Sequence, residues 1–329
     1  MTTADAILVL TWAGLTAYAL FGGADFGAGF WDLTAGRRGD AVRGLVEETI
    51  GPVWEANHVW LIFAIVVVWT AFPRVFAAVA STLYIPLTLV AIGIILRGSG
   101  FAFRKSVTDS DLRRRFGVVF GLSSIVTPFF LGAIAGGVAS GRVPLGNAEG
   151  DPIGSWLNPT SILGGVLAVG SCAYLAAVYL TADARRTGNG ALVDAFRRRA
   201  LASGSAVGVV ALAGIAVLRT DAPTLFVGLT GPALPVVILS AAAGVASLGL
   251  LAGRRFTPAR ATAGLAVGAI LWGWAVAQYP YLLVGSLTID GAAGPPATLD
   301  ALLISLVIGA ILVVPSMVAL FMLSQRVRA

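Results

Sequence analysis

Ile50-Gly51-Pro52-Val53-Trp54-Glu55-Ala56-Asn57-His58-Val59-Trp60-Leu61-Ile62 sets a carboxylate, an amide and the only histidine of the chain within four positions, at the mouth of an apolar run. That run, Ile50 to Ala71, is long enough to cross a bilayer as a helix of about 20 residues. An ionisable group in such a helix costs roughly 2.5–3.5 kcal/mol on insertion scales unless it faces protein or water. Glu55 and His58 therefore read as residues in use. A carboxylate and an imidazole are also the side chains best suited to passing protons.

The composition around this stretch sets the class. Hydrophobic residues make up 57% of the 329 and charged residues only 12%, about half the charged share of a soluble domain. The one cysteine, Cys172, excludes an intrachain disulfide. The N-terminus carries Asp5, no early basic residue and a long apolar run, so it reads as a first membrane helix rather than a cleaved signal.

Apolar runs fall at about 6–34, 50–72, 75–96, 116–139, 160–181, 201–218, 225–251, 262–283 and 300–324. They predict an all-α polytopic membrane protein of about nine transmembrane helices. Of 22 basic residues, 18 fall in one set of alternate loops, 3 in the other, and Arg97 borders the first. The rich set includes Arg37, Arg38, Arg43, Arg104, Lys105, Arg113, Arg114 and Arg115, and ends at Arg326 and Arg328. The positive-inside rule makes that set cytoplasmic, with the N-terminus outside and the C-terminus cytoplasmic. The net charge of +6 is thus topological and implies no nucleic-acid partner; membrane lipids are what the arginines face.

The first span carries Asp25 within Gly22-Gly23-Ala24-Asp25-Phe26-Gly27-Ala28-Gly29, roughly 13 Å from its cytoplasmic end. Glu55 and His58 enter the second span by roughly 8 and 12 Å. The three are expected at one level, as a proton pathway. Glu55 and His58, three apart, share a helix face; Asn57 is expected to point elsewhere, and Asp32 to be solvated at the interface. Arg97, in Leu96-Arg97-Gly98-Ser99-Gly100-Phe101-Ala102-Phe103-Arg104, either snorkels to the cytoplasmic surface or pairs with a carboxylate. There is no phosphate-binding glycine loop, thiol pair or metal cluster. One histidine and three methionines (Met1, Met317, Met322) leave little to ligate haem.

These three quoted stretches resemble subunit II of cytochrome bd-type quinol oxidases, and together they cover about the first third of the chain. The resemblance implies a single integral membrane domain over 1–329. It is built as two four-helix bundles plus one peripheral helix, with bundle one at about 1–140 and bundle two plus the extra helix at about 155–329. It implies a heterodimer with a similarly folded subunit I that carries haems b558, b595 and d and the quinol site, with no cofactor bound by this chain. Quinol is then oxidised near the outer face of a prokaryotic cytoplasmic (inner) membrane. O2 is reduced to water with cytoplasmic protons, and charge is separated without pumping. By resemblance Glu55 is the acidic residue beside the family's proton route, where some members have aspartate. Trp60 falls where some members line an oxygen path. Arg97 and Asn57 are candidates for a structural ion-pair network. Some members also hold a structural quinone or small accessory subunits, for which this sequence offers no determinant. The main alternative is a proton-coupled secondary transporter, whose central carboxylates would look similar; against it, no second-half motif matches the polar cluster of spans one to three. A third is a haem-free assembly subunit that conducts no proton.

Overall fold

The computed structural model describes residues 2–35, 39–50 and 54–326. Gly51, Pro52 and Val53 of the opening stretch, and Arg37, Arg38 and Arg328 of the basic loops and tail, lie outside the described residues. The first span is one rod in three pieces: α1 (Thr3–Ala17), a π-helical turn (Tyr18–Gly22) and α2 (Gly23–Leu33). It begins on a capping box, in which the Asp5 amide donates to the Thr2 hydroxyl and the Thr2 amide to the Asp5 carboxylate. The wider i→i+5 turn accommodates an extra residue and leaves Tyr18 buried.

α3 (Gly39–Ile50) is amphipathic. Val42, Leu45 and Val46 are buried at helical spacing while Asp40 and Arg43 stay exposed. α4 (Trp54–Ala71), α5 (Pro73–Thr82), α6 (Tyr84–Ser106) and α7 (Ser110–Ala139) follow. The Asp109 carboxylate caps α7 by accepting from the Asp111 and Leu112 amides. Then come α8 (Pro159–Arg186), α9 (Gly190–Asp221), α10 (Pro223–Thr230), α11 (Leu234–Ala252) and α12 (Phe256–Gln278). A small antiparallel hairpin, β1 (Tyr281–Leu283) and β2 (Leu287–Thr288), leads through α13 (Ile289–Ala292) to α14 (Pro296–Arg326).

Among the described residues nine helical segments are long and apolar enough to cross a membrane, as expected, and the protein is a multi-pass all-α membrane protein. Several helices extend beyond their apolar runs, and three runs are broken where the sequence reads through. The run 75–96 divides: α5 ends at Thr82, and the spanning helix is Tyr84–Ser106, which takes Arg97 and Arg104 inside. The run 225–251 divides around Gly231 and Pro232, where proline lacks the amide needed to continue a helix. The run 262–283 stops at Gln278, and the chain turns through Gly285 at φ +73 into the unforeseen hairpin.

Helix α8 sits centrally, packing on α2, α7, α9 and α12. Its Tyr174–Val178 stretch joins Val42, Leu45 and Val46 of α3 and Leu251 in the largest apolar cluster. Small residues set the spacing. A Cβ at Gly27 would collide with the Cys172 carbonyl of α8, and Gly132 of α7 meets Gly164 of α8 backbone to backbone. α14 stands at the periphery: no residue of its most apolar stretch is fully buried, and Leu302, Leu303 and Leu306 pack partly against the bundle.

Candidate functional site

Asp25 and Asp32 lie seven residues apart on α2, and Arg97 and Arg104 lie seven apart on α6. Seven residues are close to two turns, about 10 Å of rise, so each pair shares one helix face. Where α2 and α6 face α7, this spacing makes a ladder with two polar rungs.

The first rung is a closed ion pair. Arg104 Nη1 donates to Asp32 Oδ2 at 2.7 Å, and the two side chains are 4% and 2% exposed. The same guanidinium donates through Nε and Nη2 to Glu47 Oε1 on α3, at 2.9 and 2.6 Å. This ties the amphipathic helix to the bundle. Among the described residues Asp32 Oδ1 accepts no hydrogen bond; Arg43 Nε pairs with it at 3.9 Å. A cavity of roughly 720 Å³ opens over this rung, lined by Asp32, Arg43, Glu47, Arg104, Arg113 and Arg114 among others.

The second rung is looser. Asn57 Nδ2 donates to Asp25 Oδ2 at 2.6 Å, with both side chains buried. Arg97, 2% exposed, lies between two aromatic faces, its Cζ 4.8 Å from the Phe26 centroid and 5.3 Å from that of Phe120. Its Nε donates to Ser124 Oγ at 3.3 Å, and its Nη2 has no hydrogen-bond partner among the described residues. Arg97 and Asp25 interact electrostatically without a direct ion pair. His58 Nδ1 stands 3.5 Å from the Tyr18 hydroxyl, the donor being set by the tautomer. The rings of Tyr18, Phe26 and Trp54 surround the imidazole at 6.0, 6.2 and 6.3 Å. Glycines make the approach possible: Gly29 faces Ser124 and Phe120, and a Cβ at Gly100 would lie 3.0 Å from the α7 backbone at Phe116 and Phe120.

The structure brings Asp25, Asn57, His58 and Arg97 together and corrects three expectations. Asn57 points at Asp25, because the phase of α4 turns position 57 inward. Arg97 does not snorkel, because α6 continues for more than two turns beyond it. Asp32 is buried rather than solvated, because α3 and Arg104 cover it. Glu55 stands apart. It is exposed, makes no hydrogen bond or ion pair among the described residues, and heads a stripe on α4 continued by Val59, Ile62, Val66 and Trp69. Trp60 is half-buried with Leu61 and Leu131 against Tyr18, Phe26 and Cys172, its Nε1 unpartnered. Asp32 and Arg104 were not foreseen as part of the ladder, although the repeated seven-residue interval announces them. Among the described residues no group of three or more His, Cys, Asp or Glu is placed to hold a metal ion.

The family model described as cytochrome bd terminal oxidase subunit II matches residues 3–324. Subunit 2 of cytochrome bd-I ubiquinol oxidase from Escherichia coli (strain K12) is 32% identical over 172 residues, covering 50% of this chain and 45% of that one. The cytochrome bd ubiquinol oxidase subunit 2 of Bacillus subtilis (strain 168) is 31% identical over 162 residues, covering 48% and 47%. The matches thus span about half the length of these two relatives. The structure of bd oxidase from Geobacillus thermodenitrificans superposes with a TM-score of 0.78 at 25% identity, covering 98% of both chains.

Proposed function

Because the chain belongs to the cytochrome bd terminal oxidase subunit II family, we propose that it is the haem-free subunit of a quinol:oxygen oxidoreductase and delivers protons to a haem-bearing subunit I. The chain is a single membrane domain whose first bundle, about 1–140, holds the site, and whose second bundle with α14 buttresses it. Its arginine-rich end faces the cytoplasm of a prokaryotic inner membrane. Quinol oxidation and reduction of O2 to water belong to the partner, whose haems supply the redox chemistry. The family membership favours this reading over a proton-coupled transporter.

The observation that carries it is the position of Glu55. A carboxylate on an apolar, exposed face is costly against lipid, and the stripe from Val59 to Trp69 offers a continuous surface for another membrane subunit. One residue pair away on the same helix, Asn57 and His58 reach the buried Asp25 rung. This chain's residues then divide the work. Arg97 and Asn57 hold Asp25 in place, and Tyr18 orients His58. Asp25 and His58 move protons inside the bundle, and Glu55 hands them to the partner. Trp60, in its apolar cluster, is the candidate for an oxygen path. The test is purification with the native partners. The complex should show haem bands and the isolated chain none; haem bound by this chain alone would overturn the assignment.

Two further outcomes are expected. Reporter fusions after Arg38, Thr108, Gly188 and Arg255 read cytoplasmic, and fusions at Gly146 and Gly294 do not; the reverse pattern would put the arginine-rich end, and the Asp32 cavity with it, on the wrong side. His58→Ala leaves the haem spectrum of the complex intact, since the imidazole faces three aromatic rings, Tyr18, Phe26 and Trp54, rather than an open slot. Loss of one haem signal in an otherwise assembled complex would make His58 an axial ligand.

A further inference from the structure

We infer that Asp32, on the floor of the cavity, is the intake carboxylate of the proton route, and that the Phe120 ring is the septum protons must cross to reach Asp25. The inference rests on the reading of this chain as a proton-delivering subunit.

Three observations point there. Asp32 lines a cavity of roughly 720 Å³ although it is almost wholly buried; its Oδ2 is committed to Arg104, and its Oδ1 has no hydrogen bond among the described residues, with only the long ion pair to Arg43 at 3.9 Å. A buried carboxylate oxygen with no hydrogen bond asks for a donor, and a cavity of this size admits water. Second, the two-turn interval repeats the same pair of groups deeper in the bundle, as Asp25 with Arg97. Third, a single side chain divides the rungs. Phe120, 1% exposed, is clamped between both cations, with Arg97 Cζ 5.3 Å and Arg104 Cζ 5.6 Å from its centroid. Gly100 on α6 and Gly29 on α2 seat it there, and Phe101 backs it at 5.5 Å. An apolar constriction between two polar stations is a barrier to water, and so to protons.

In the transfer, a proton on cavity water bonds to Asp32 Oδ1 and neutralises the carboxylate. The O–H bond then breaks toward water beyond the ring, which restores the carboxylate, and the Asp25 carboxylate takes up the proton. One proton moves and no electron does. The charges around Asp32 and its cavity are Arg104 from α6, Asp40, Arg43 and Glu47 from α3, and Arg113 and Arg114 from α7.

The test uses the assembled oxidase in liposomes, following proton uptake with a pH dye after an oxygen pulse to the reduced enzyme. Asp32→Asn is expected to slow uptake by about tenfold or more with an unchanged haem spectrum. Asp32→Glu should stay near wild type, and added acetate, which fits the open cavity, should restore the asparagine variant; a merely structural ion pair would not respond to acetate. Phe120→Ala, which removes the septum, should speed uptake, a direction that damage to the fold does not produce. If Asp25→Asn and Glu55→Gln slow uptake while Asp32→Asn does not, the intake role is wrong and the delivery reading stands. If none of the carboxylate variants matters, the delivery reading fails and the intake role falls with it. Should Asp32→Asn not assemble, Phe120→Ala decides: uptake unchanged or slowed overturns the inference.

Discussion

Glu55→Gln lowers the oxygen-consuming turnover of the assembled oxidase by about 10²-fold, the usual weight of a positioned proton-transfer group, while haem content stays at the wild-type level. The structure sharpens this expectation by removing a competing explanation. Had Glu55 been the anchor of Arg97, glutamine would have cost assembly. Instead Arg97 lies in the aromatic cradle of Phe26 and Phe120, and Glu55 bonds to nothing among the described residues. Glutamine therefore removes the acid and no hydrogen bond or ion pair among the described residues. Glu55→Asp keeps the acid and only shortens its reach, so its loss should stay within about tenfold. Oxygen uptake per haem, measured on the purified complex across a range of pH, checks both. Wild-type turnover of the glutamine variant at every pH would remove Glu55 from the route.

Arg97→Leu abolishes accumulation of the complex. The substitution leaves Asp25 buried with only the Asn57 amide for company, and an uncompensated charge in a membrane interior costs about 3 kcal/mol. That is a large share of the stability of a typical domain. Because the penalty comes from the stranded carboxylate, Arg97→Leu combined with Asp25→Leu should recover much of the assembled material while turnover remains low. Yield of haem-loaded complex after size exclusion measures the first effect, and oxygen uptake the second. A stable single variant would show that Asp25 needs no cation nearby.

How much of this could be read from residues alone follows from where polarity breaks the apolar background. The nine spans were legible because length and apolarity are all that a bilayer requires. Asp25, His58 and Arg97 stood out as charges and a histidine in or beside them. The rotation of α4 was not legible. Its residues are apolar nearly all round, and without a polar stripe nothing in the sequence says that 57 faces in and 55 faces out. The end of α6 was misjudged for a related reason. The apolar run stops at Arg97, yet the helix goes on because Arg97 and Arg104 are satisfied inside the bundle. The π-helical turn at Tyr18–Gly22 defeats a fixed helical period, so Tyr18 could not be placed beside His58 by counting. The apolar run continues through Pro280 to 283, so nothing in it announced that the helix ends at Gln278 or that two short strands follow.

The first rung has a consequence for biogenesis. Asp32 is made early, in the first span, and its counter-charge Arg104 arrives only at the end of the third, about seventy residues later. At ordinary synthesis rates the delay is on the order of ten seconds. Through that interval the first helix carries two carboxylates that lipid does not tolerate, so it has reason to linger at the insertion machinery. Spans one to three then leave for the bilayer as a single package rather than one by one. A ribosome stalled before Arg104 would leave the first helix extractable by alkali, and one stalled just beyond the third span would not.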